Sequence, residues 1–286
     1  MSIAALVLAL VALEDDFEFV KPTPVTIAGY SGDAMEPFLT RDGRYLIFNN
    51  SNAVPSETDL HWAERIDDLT FAYRGKLEGA NSAALDAVAS IDSNGTIYFV
   101  TTRSYDQTLM TIYRGQFNRG VVRDVAPLPG LSRGIPGQVN FDVEVSADGT
   151  TLYFVDGLFT GGSVPAAADL AVAVRGADGQ FHRVESDELA AINTSALEYA
   201  PCISEDQLEL FFTRVVDGMP GIYRSTRQDR ASAWRTARRL AAITGFAEAP
   251  TIAPGGVALY YHALRNGRMV IERVTRQTPR RRTVAH

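Results

Sequence analysis

The sequence predicts an all-β protein, a five-bladed β-propeller with four antiparallel strands in each blade. The first observation is a short apolar strand that recurs five times, as YLIF (45–48), TIYF (96–99), TLYF (151–154), ELFF (209–212) and ALYY (258–261). The copies begin 49 to 58 residues apart, a period that is typical of propellers and other repeat architectures. The second observation is a turn directly before each copy, which makes each apolar strand the second half of a hairpin.

Most of these turns contain glycine or asparagine, which adopt the positive φ that a tight hairpin needs. The turns are Asp42-Gly43, Asn94-Gly95, Asp148-Gly149, Glu205-Asp206 and Gly255-Gly256. Copy four lacks the glycine, so we expect its turn to be built differently.

Each hairpin is preceded by a first strand and followed by two more. The first strands read PFLT (37–40), AVAS (87–90), VEVS (143–146), PCIS (201–204) and PTIA (250–253). The third strands end on arginine, at 65, 114, 175, 227 and 273, and three fourth strands open on an aromatic residue, Phe71, Phe181 or Trp234. Four short strands per repeat are typical of a propeller blade.

The fifth repeat ends after its third strand, and the N-terminal segment 17–27 has the pattern of the missing fourth strand. We therefore predict that the N-terminal strand closes blade five, which removes an exposed sheet edge. The predicted organisation is an N-terminal extension or signal peptide over 1–16, one propeller over 17–276 and a basic C-terminal tail over 277–286.

The repeats carry a family resemblance. The segments AMEPFLTRDGRYLIF (34–48) and DVEVSADGTTLYF (142–154) resemble the WD-like propeller repeat of TolB-type bacterial proteins, and so does the run from Asp169 to Arg175. The resemblance covers nearly the whole chain after residue 16. It implies a propeller fold and leaves the activity open, because such repeats occur in periplasmic scaffolds and in peptidase side domains. Five-bladed propellers also include glycosidases, an analogy of fold alone.

Composition excludes several classes of function. The net charge of −7 argues against nucleic-acid binding. Cys202 is the single cysteine, so the chain forms no internal disulfide and no cysteine-based zinc site. The sequence predicts no cofactor, although a divalent cation fits the acidic residues described below.

Residues 1–13 form an apolar stretch that is too short to span a bilayer. The stretch is typical of a signal-peptide core, although it lacks the basic leader. A periplasmic or secreted protein is the prediction, with a cytoplasmic one as the alternative, and no transmembrane segment is expected.

An acidic residue lies at or near the start of each first strand, where side chains from all blades converge on the central channel. These residues are Glu36, Asp86, Asp142, Glu198 and Glu248. Aligned on the turns, the first three are equivalent, Glu248 lies one residue earlier and Glu198 two. Since neighbouring strand residues point to opposite faces, the five need not form a ring.

Two interpretations of these acids stay open. A cluster of carboxylates at the axis can bind a hard cation, or divide the acid and base roles of glycoside hydrolysis. Alternatively the acids are repeat features that accept hydrogen bonds and hold adjacent blades in register.

Four further side chains are candidates for ligand binding. Arg103, Arg214 and Arg265 follow second strands and can pair with the acids or bind an anionic ligand. His262 ends the fifth second strand, where it can carry a proton or simply pack.

The main functional hypothesis is a non-catalytic TolB-like propeller. It would bind a protein partner, a carbohydrate or another small polar ligand, or a cation, at the axial funnel or on one face. The alternative is a glycosidase-like hydrolase that uses two of Glu36, Asp86, Asp142 and Glu198, so the sequence leaves open whether the protein is an enzyme.

Overall fold

Five antiparallel sheets follow one another along the chain as the blades of a propeller, which confirms the predicted fold class. The computed structural model describes residues 18–52, 57–185 and 187–277. The strands in chain order are β1 (Glu18–Pro24), β2 (Thr26–Ala28), β3 (Met35–Leu39), β4 (Tyr45–Asn49), β5 (Leu60–Arg65), β6 (Thr70–Lys76), β7 (Asp86–Ile91), β8 (Thr96–Thr101), β9 (Ile112–Asn118), β10 (Val121–Pro127), β11 (Gln138–Val145), β12 (Thr151–Leu158), β13 (Ala167–Arg175), β14 (Phe181–Arg183), β15 (Leu197–Ile203), β16 (Glu209–Val216), β17 (Met219–Thr226), β18 (Arg238–Arg239), β19 (Ala247–Ile252), β20 (Ala258–Arg265) and β21 (Arg268–Gln277). The helical segments with defined bounds are α1 (Tyr105–Thr108) and two 3₁₀ turns, Asp187–Leu189 and Pro254–Gly256. None of these helical segments is long and apolar enough to cross a membrane.

Blades two, three and four each use four consecutive strands, β7–β10, β11–β14 and β15–β18. The first strand of every blade is the innermost, and these strands contact one another around the axis. We call the face that carries the loops leading into the inner strands the upper face. The face that carries the hairpins between inner and second strands is the lower face.

The apolar second strands form the core between the blades. Successive residues of a second strand point toward the two blades on either side. Phe99 packs against blade one, beside Ile47, while Tyr98 packs against blade three, beside Phe154. All four side chains are fully buried. Burial on both faces explains why these strands read as continuous apolar runs rather than as an alternating pattern.

The N-terminal strand closes the ring, as the sequence predicts. β1 pairs antiparallel with β21, from Glu18 opposite Gln277 to Pro24 opposite Glu272, so it is the fourth strand of blade five. The segment then changes blade: Thr26–Ala28 (β2) runs parallel to β6 at the outer edge of blade one. Residues 18–28 therefore bridge two blades, where the sequence predicted one strand over 17–27. Residues 1–16 and 278–286, with the predicted signal peptide and most of the predicted basic tail, lie outside the described residues.

Two local predictions need correction. The fourth strand of blade four is Arg238–Arg239 (β18), and Trp234 lies in the preceding loop, where it packs against Tyr153. In the turn of copy four Gln207 takes the left-handed conformation with φ 63°, the role that glycine has in the other copies. Asp206 supports this turn by accepting a hydrogen bond from Oγ of Ser204 at 2.6 Å.

Every inner strand carries a β-bulge, a place where one strand has an extra residue. One residue of each bulge has a left-handed backbone: Glu36 (φ 49°), Val88 (46°), Asp142 (51°), Ala200 (51°) and Ala249 (51°). Non-glycine residues rarely adopt this conformation. Since all five blades share it, the bulge is a feature of the repeat, and it sets where the acidic side chains point.

Candidate functional site

The bulges divide the five predicted acids into three classes. Glu36 and Asp142 occupy the bulge position itself, and Glu248 precedes its bulge by one residue. Asp86 and Glu198 precede theirs by two. Alignment on the turns made Asp86 equivalent to Glu36 and Asp142; the structure shows that it is equivalent to Glu198, because Val88 takes the bulge position in blade two.

Asp86 and Glu198 are fully buried and each is paired with an arginine. Arg103 Nη2 lies 2.7 Å from Asp86 Oδ1, and Arg214 Nε lies 2.6 Å from Glu198 Oε1. Two of the three candidate arginines therefore neutralise candidate acids within their own blades. This arrangement supports the interpretation that these acids hold the blades together.

A repeated motif surrounds these two ion pairs, and the sequence analysis missed it. Residues 81–86 read NSAALD and residues 193–198 read NTSALE. In both, the Ser82 or Thr194 hydroxyl donates to the acid four residues later, at 2.8 and 2.6 Å. The spacing of Asn, Ser or Thr and the acid could have identified both as structural.

Arg265 lies away from the axis. Its guanidinium forms a two-point ion pair with Glu272 of β21, at 2.8 and 2.7 Å. Glu272 also accepts a hydrogen bond from Tyr261 at 2.7 Å. The third candidate arginine therefore belongs to the packing of blade five.

The remaining acids, Glu36, Asp142 and Glu248, form what we call the axial cluster, with His262 beside them. One carboxylate oxygen of Glu36, one of Glu248 and one ring nitrogen of His262 lie within 4.8 Å of one another. Asp142 lines the same axial cavity as Glu36. The structure thus brings together four of the nine candidate residues, from blades one, three and five.

Glu36 is held by one of its two oxygens. Oε1 accepts a hydrogen bond from Nδ2 of Asn52 at 3.1 Å, while Oε2 is buried with no hydrogen-bond partner among the described residues. Glu36 as a whole is only 7% exposed to solvent. Burial, followed by the charges of Asp142 and Glu248, raises the pKa of Glu36 well above its usual range.

Asp142 accepts a hydrogen bond from the backbone N–H of Ala200 in blade four, at 3.0 Å to Oδ2. Burial raises the pKa of Asp142 to about 7; the Ala200 N–H opposes the rise and the charge of Glu248 adds to it. A carboxylate that shares a buried space with two others is costly to ionise unless a cation accompanies it.

Glu248 is the best-supported carboxylate of the three. Its Oε2 lies 2.9 Å from Nε2 of His262, and its Oε1 accepts a hydrogen bond from the Tyr199 hydroxyl. Burial and the Glu248 charge raise the pKa of Tyr199, so it stays a donor. Tyr199 carries no repeat signal, which is why the sequence analysis did not select it.

The axial cavity beside these residues is small, about 30 Å³. That volume holds a single ion or about two water molecules at most. A site that encloses a sugar ring or another organic ligand usually measures about 300 Å³ or more. An organic ligand can therefore reach the cluster only with a polar group, its body remaining above the cavity.

Glu144 lines the axial cavity and pairs with Arg41, which lines the cavity of the lower face. Arg41 Nη2 lies 3.0 Å from Glu144 Oε1, and its Nε donates to the carbonyl of Ile91 at 3.2 Å. Ser90 donates to the other oxygen of Glu144 at 2.6 Å. These contacts tie together the inner strands of blades one, two and three.

A larger cavity of about 760 Å³ opens on the lower face, between the hairpins of blades one, four and five. Its lining includes Arg41, Glu205, Asp206, Val257 and Arg276. None of the sequence-predicted site residues lines this cavity.

No protein-family model and no curated protein matches this chain. Among solved structures, a thermostable family-43 glycoside hydrolase is similar with a TM-score of 0.61 and 11% identity, over 90% of this chain and 96% of its own. A family 117 glycoside hydrolase from the marine bacterium Zobellia galactanivorans matches with a TM-score of 0.59 and 13% identity, over 91% and 90%. TolB from Acinetobacter baumannii matches with a TM-score of 0.49 and 12% identity, over 86% of this chain and 55% of its own. At such identities the likeness to the two hydrolases shows the propeller fold alone.

Proposed function

We propose that this propeller is a non-catalytic binding protein whose axial cluster holds a cation or a small polar group of a ligand that enters from the upper face. The observation that carries the proposal is Glu36 Oε2, a buried carboxylate oxygen without a partner among the described residues, which sits at a cavity large enough for one ion. Leaving such an atom unpaired costs about 1–3 kcal/mol, and more when it is charged.

The contrast with neighbouring acids supports this interpretation. Asp86, Glu198 and Glu144 each have an arginine within 3.0 Å. In the described part of the chain, no arginine or lysine forms an ion pair with the axial cluster, which depends on an amide, a backbone N–H, a tyrosine and a histidine. The structural acids therefore have positively charged partners within the protein, whereas the three carboxylates of the axial cluster remain available to a ligand.

A thermal-shift panel tests the proposal. Protein freed of metal with EDTA is mixed with divalent cations and with simple sugars, and Glu36→Gln is measured in parallel. A ligand that binds the folded state raises its melting temperature. We expect at least one ligand to stabilise the wild type and to lose its effect in Glu36→Gln.

Glu205→Gln is the matched control, because Glu205 is an exposed acid of the lower face. It should respond to the ligand like the wild type. If no cation and no sugar shifts the wild-type melting temperature, the axial site does not bind small ligands and the proposal fails.

A glycosidase-like hydrolase is the second candidate. Burial raises the pKa of Asp142 to about 7, while Glu248 is held by two donors; such contrasts are typical of an acid and a base with different roles. The cavity of about 30 Å³ argues against it, because no sugar ring fits in the cavity beside Glu36 and Asp142. Hydrolysis of nitrophenyl glycosides that disappears in both Glu248→Gln and Asp142→Asn would favour the hydrolase.

A protein partner on the upper face is compatible with axial binding. Several apolar side chains are exposed in the loops and strand ends of that face: Ile135, Leu158, Val216, Met219 and Leu264. Exposed apolar side chains mark a contact surface where they form a contiguous patch. Together with the apolar residues 1–13, which suggest export, this surface supports the proposal of a periplasmic scaffold.

A further inference from the structure

The role of His262 decides which ligand the axial cluster can take. The ring is fully buried, and both of its nitrogens have partners. Nδ1 faces the backbone N–H of Glu36 at 3.2 Å, and Nε2 faces Oε2 of Glu248 at 2.9 Å. A nitrogen that accepts from an N–H carries no proton of its own. The proton of a neutral ring therefore lies on Nε2, which donates it to Glu248.

The acceptor role of His262 belongs to the repeat. In blade two, the N–H of Val88 donates to Oδ1 of Asn49 in blade one, at 3.3 Å. In blade five, the N–H of Ala249 donates to Oγ1 of Thr213 in blade four, at 3.0 Å. In each case a side chain at or near the end of a second strand accepts from the bulge of the next blade. His262 has the same task between blades five and one.

Because Nδ1 of His262 accepts this hydrogen bond, we do not expect the ring to bind a metal. To bind a metal through Nε2, the ring would have to lose its last proton while Nδ1 still faces an N–H donor. Zinc prefers nitrogen and sulfur ligands in proteins, and in this site the one nitrogen ligand is already engaged.

The donors left are oxygens. Since the ligand atoms of Glu36 and Glu248 lie within 4.8 Å of each other, both can reach one ion at the usual calcium–oxygen distance of about 2.4 Å. Asp142 lines the cavity beside Glu36, where its carboxylate adds negative charge next to the ion. Magnesium usually keeps several of its water molecules, and a cavity of about 30 Å³ has little room for them.

From these contacts we infer that the axial site takes a hard, oxygen-seeking divalent cation of the calcium type. Glu36 and Glu248 bind it, Asp142 adds its negative charge beside them, and His262 stays outside the coordination shell as a positioning residue for Glu248. This inference rests on the proposed function and specifies its ligand.

Isothermal titration of metal-free protein with Ca²⁺, Mg²⁺ and Zn²⁺ tests it, and Tb³⁺ serves as a luminescent substitute for Ca²⁺. We expect Ca²⁺ to bind at least about tenfold more tightly than Mg²⁺ or Zn²⁺, and Glu36→Gln to weaken Ca²⁺ binding by at least about tenfold. Excitation of tyrosine should sensitise Tb³⁺ emission, and Tyr199→Phe should reduce that emission.

The variant His262→Gln separates the two roles of the histidine. A glutamine amide can accept from the Glu36 N–H and donate to Glu248, so this variant should retain Ca²⁺ affinity within about threefold. His262→Leu can do neither and should weaken binding. Circular dichroism and the melting temperature of each variant show whether it is folded, and Glu205→Gln is the matched control.

The outcomes separate the inference from the proposed function. If Zn²⁺ binds more tightly than Ca²⁺ and Zn²⁺ binding is lost in His262→Gln, the histidine is a metal ligand. That result would overturn the inference, while the proposed axial binding site would stand. Binding of a polar organic ligand without any cation would also overturn the inference alone. If neither a cation nor a polar ligand binds, both fail.

Discussion

The backbone N–H of Glu36 donates a hydrogen bond to Nδ1 of His262, 3.2 Å away across the boundary between blades one and five. This is the boundary that the N-terminal strand closes. The bond fixes the histidine so that its other nitrogen faces Glu248, and it places the Glu36 carboxylate at the axial cavity. One repeat contact therefore positions two of the three carboxylates of the axial cluster.

Glu36→Gln should stabilise the metal-free protein by about 1 kcal/mol, because it replaces a buried carboxylate with a neutral amide beside two other carboxylates. Urea unfolding in EDTA measures the change. A loss of stability in EDTA would show that the Glu36 carboxylate has a counter-charge in the protein and needs no ligand.

The stability of the metal-free protein should fall as pH rises through the range in which Asp142 titrates. In the unfolded chain the Asp142 carboxyl has a pKa near 3.8, whereas burial raises its pKa to about 7 in the folded protein. Between these values the folded protein binds the extra proton, so the free energy of unfolding decreases with rising pH. Glu36 acts in the same direction.

Asp142→Asn isolates this contribution, because all other titrating groups stay in place. The difference in unfolding free energy, wild type minus Asp142→Asn, should decline between pH 4 and pH 8 in EDTA. A difference that grows with pH would mean that burial does not raise the pKa of this carboxyl.

Arg103→Met should destabilise the protein by about 3 kcal/mol, because it leaves the fully buried carboxylate of Asp86 without its arginine. Arg74→Met is the matched control: Arg74 pairs with Glu64 at the surface, and its loss should cost less than about 1 kcal/mol. Chemical denaturation measures both. Ligand binding at the axial cluster should be unchanged in Arg103→Met, and a specific loss of binding would place Arg103 in the site.

Phe19→Ala should lower the free energy of unfolding by about 3 kcal/mol, because it removes a buried side chain from the strand that closes blade five. Phe19 is buried in β1 and its ring meets that of Phe211 edge to face, with centroids 5.8 Å apart. Ile66→Ala, at a residue 63% exposed, should change stability by less than about 0.5 kcal/mol. Equal stabilities of the two variants would contradict a structural role for the N-terminal strand in blade five.

The blade count and the closing strand could be predicted because they depend on local, repeated signals. A turn followed by an apolar strand recurs in every blade, and the fifth repeat visibly lacks one strand. The parallel pairing of Thr26–Ala28 with blade one has no such signal, since it depends on where the chain leaves blade five.

The axial site was predictable only in part. The sequence selected the five acids, and the motif shared by residues 81–86 and 193–198 is the one signal that sets Asp86 and Glu198 apart from Glu36. The left-handed bulges set where Glu36 and Asp142 point, and glutamate gives no indication of positive φ in advance. Tyr199 was missed because its hydroxyl reaches Glu248 of the next blade, a contact that no pattern along the chain records.

The most direct test is a crystal structure of the protein grown with Ca²⁺, with an anomalous difference map at the axis. The axial-site proposal predicts one peak about 2.3–2.6 Å from carboxylate oxygens of Glu36 and Glu248, with both nitrogens of His262 still hydrogen-bonded to Glu36 and Glu248. An axis without such a peak, in which Glu36 Oε2 is hydrogen-bonded to another group of the protein, would contradict it.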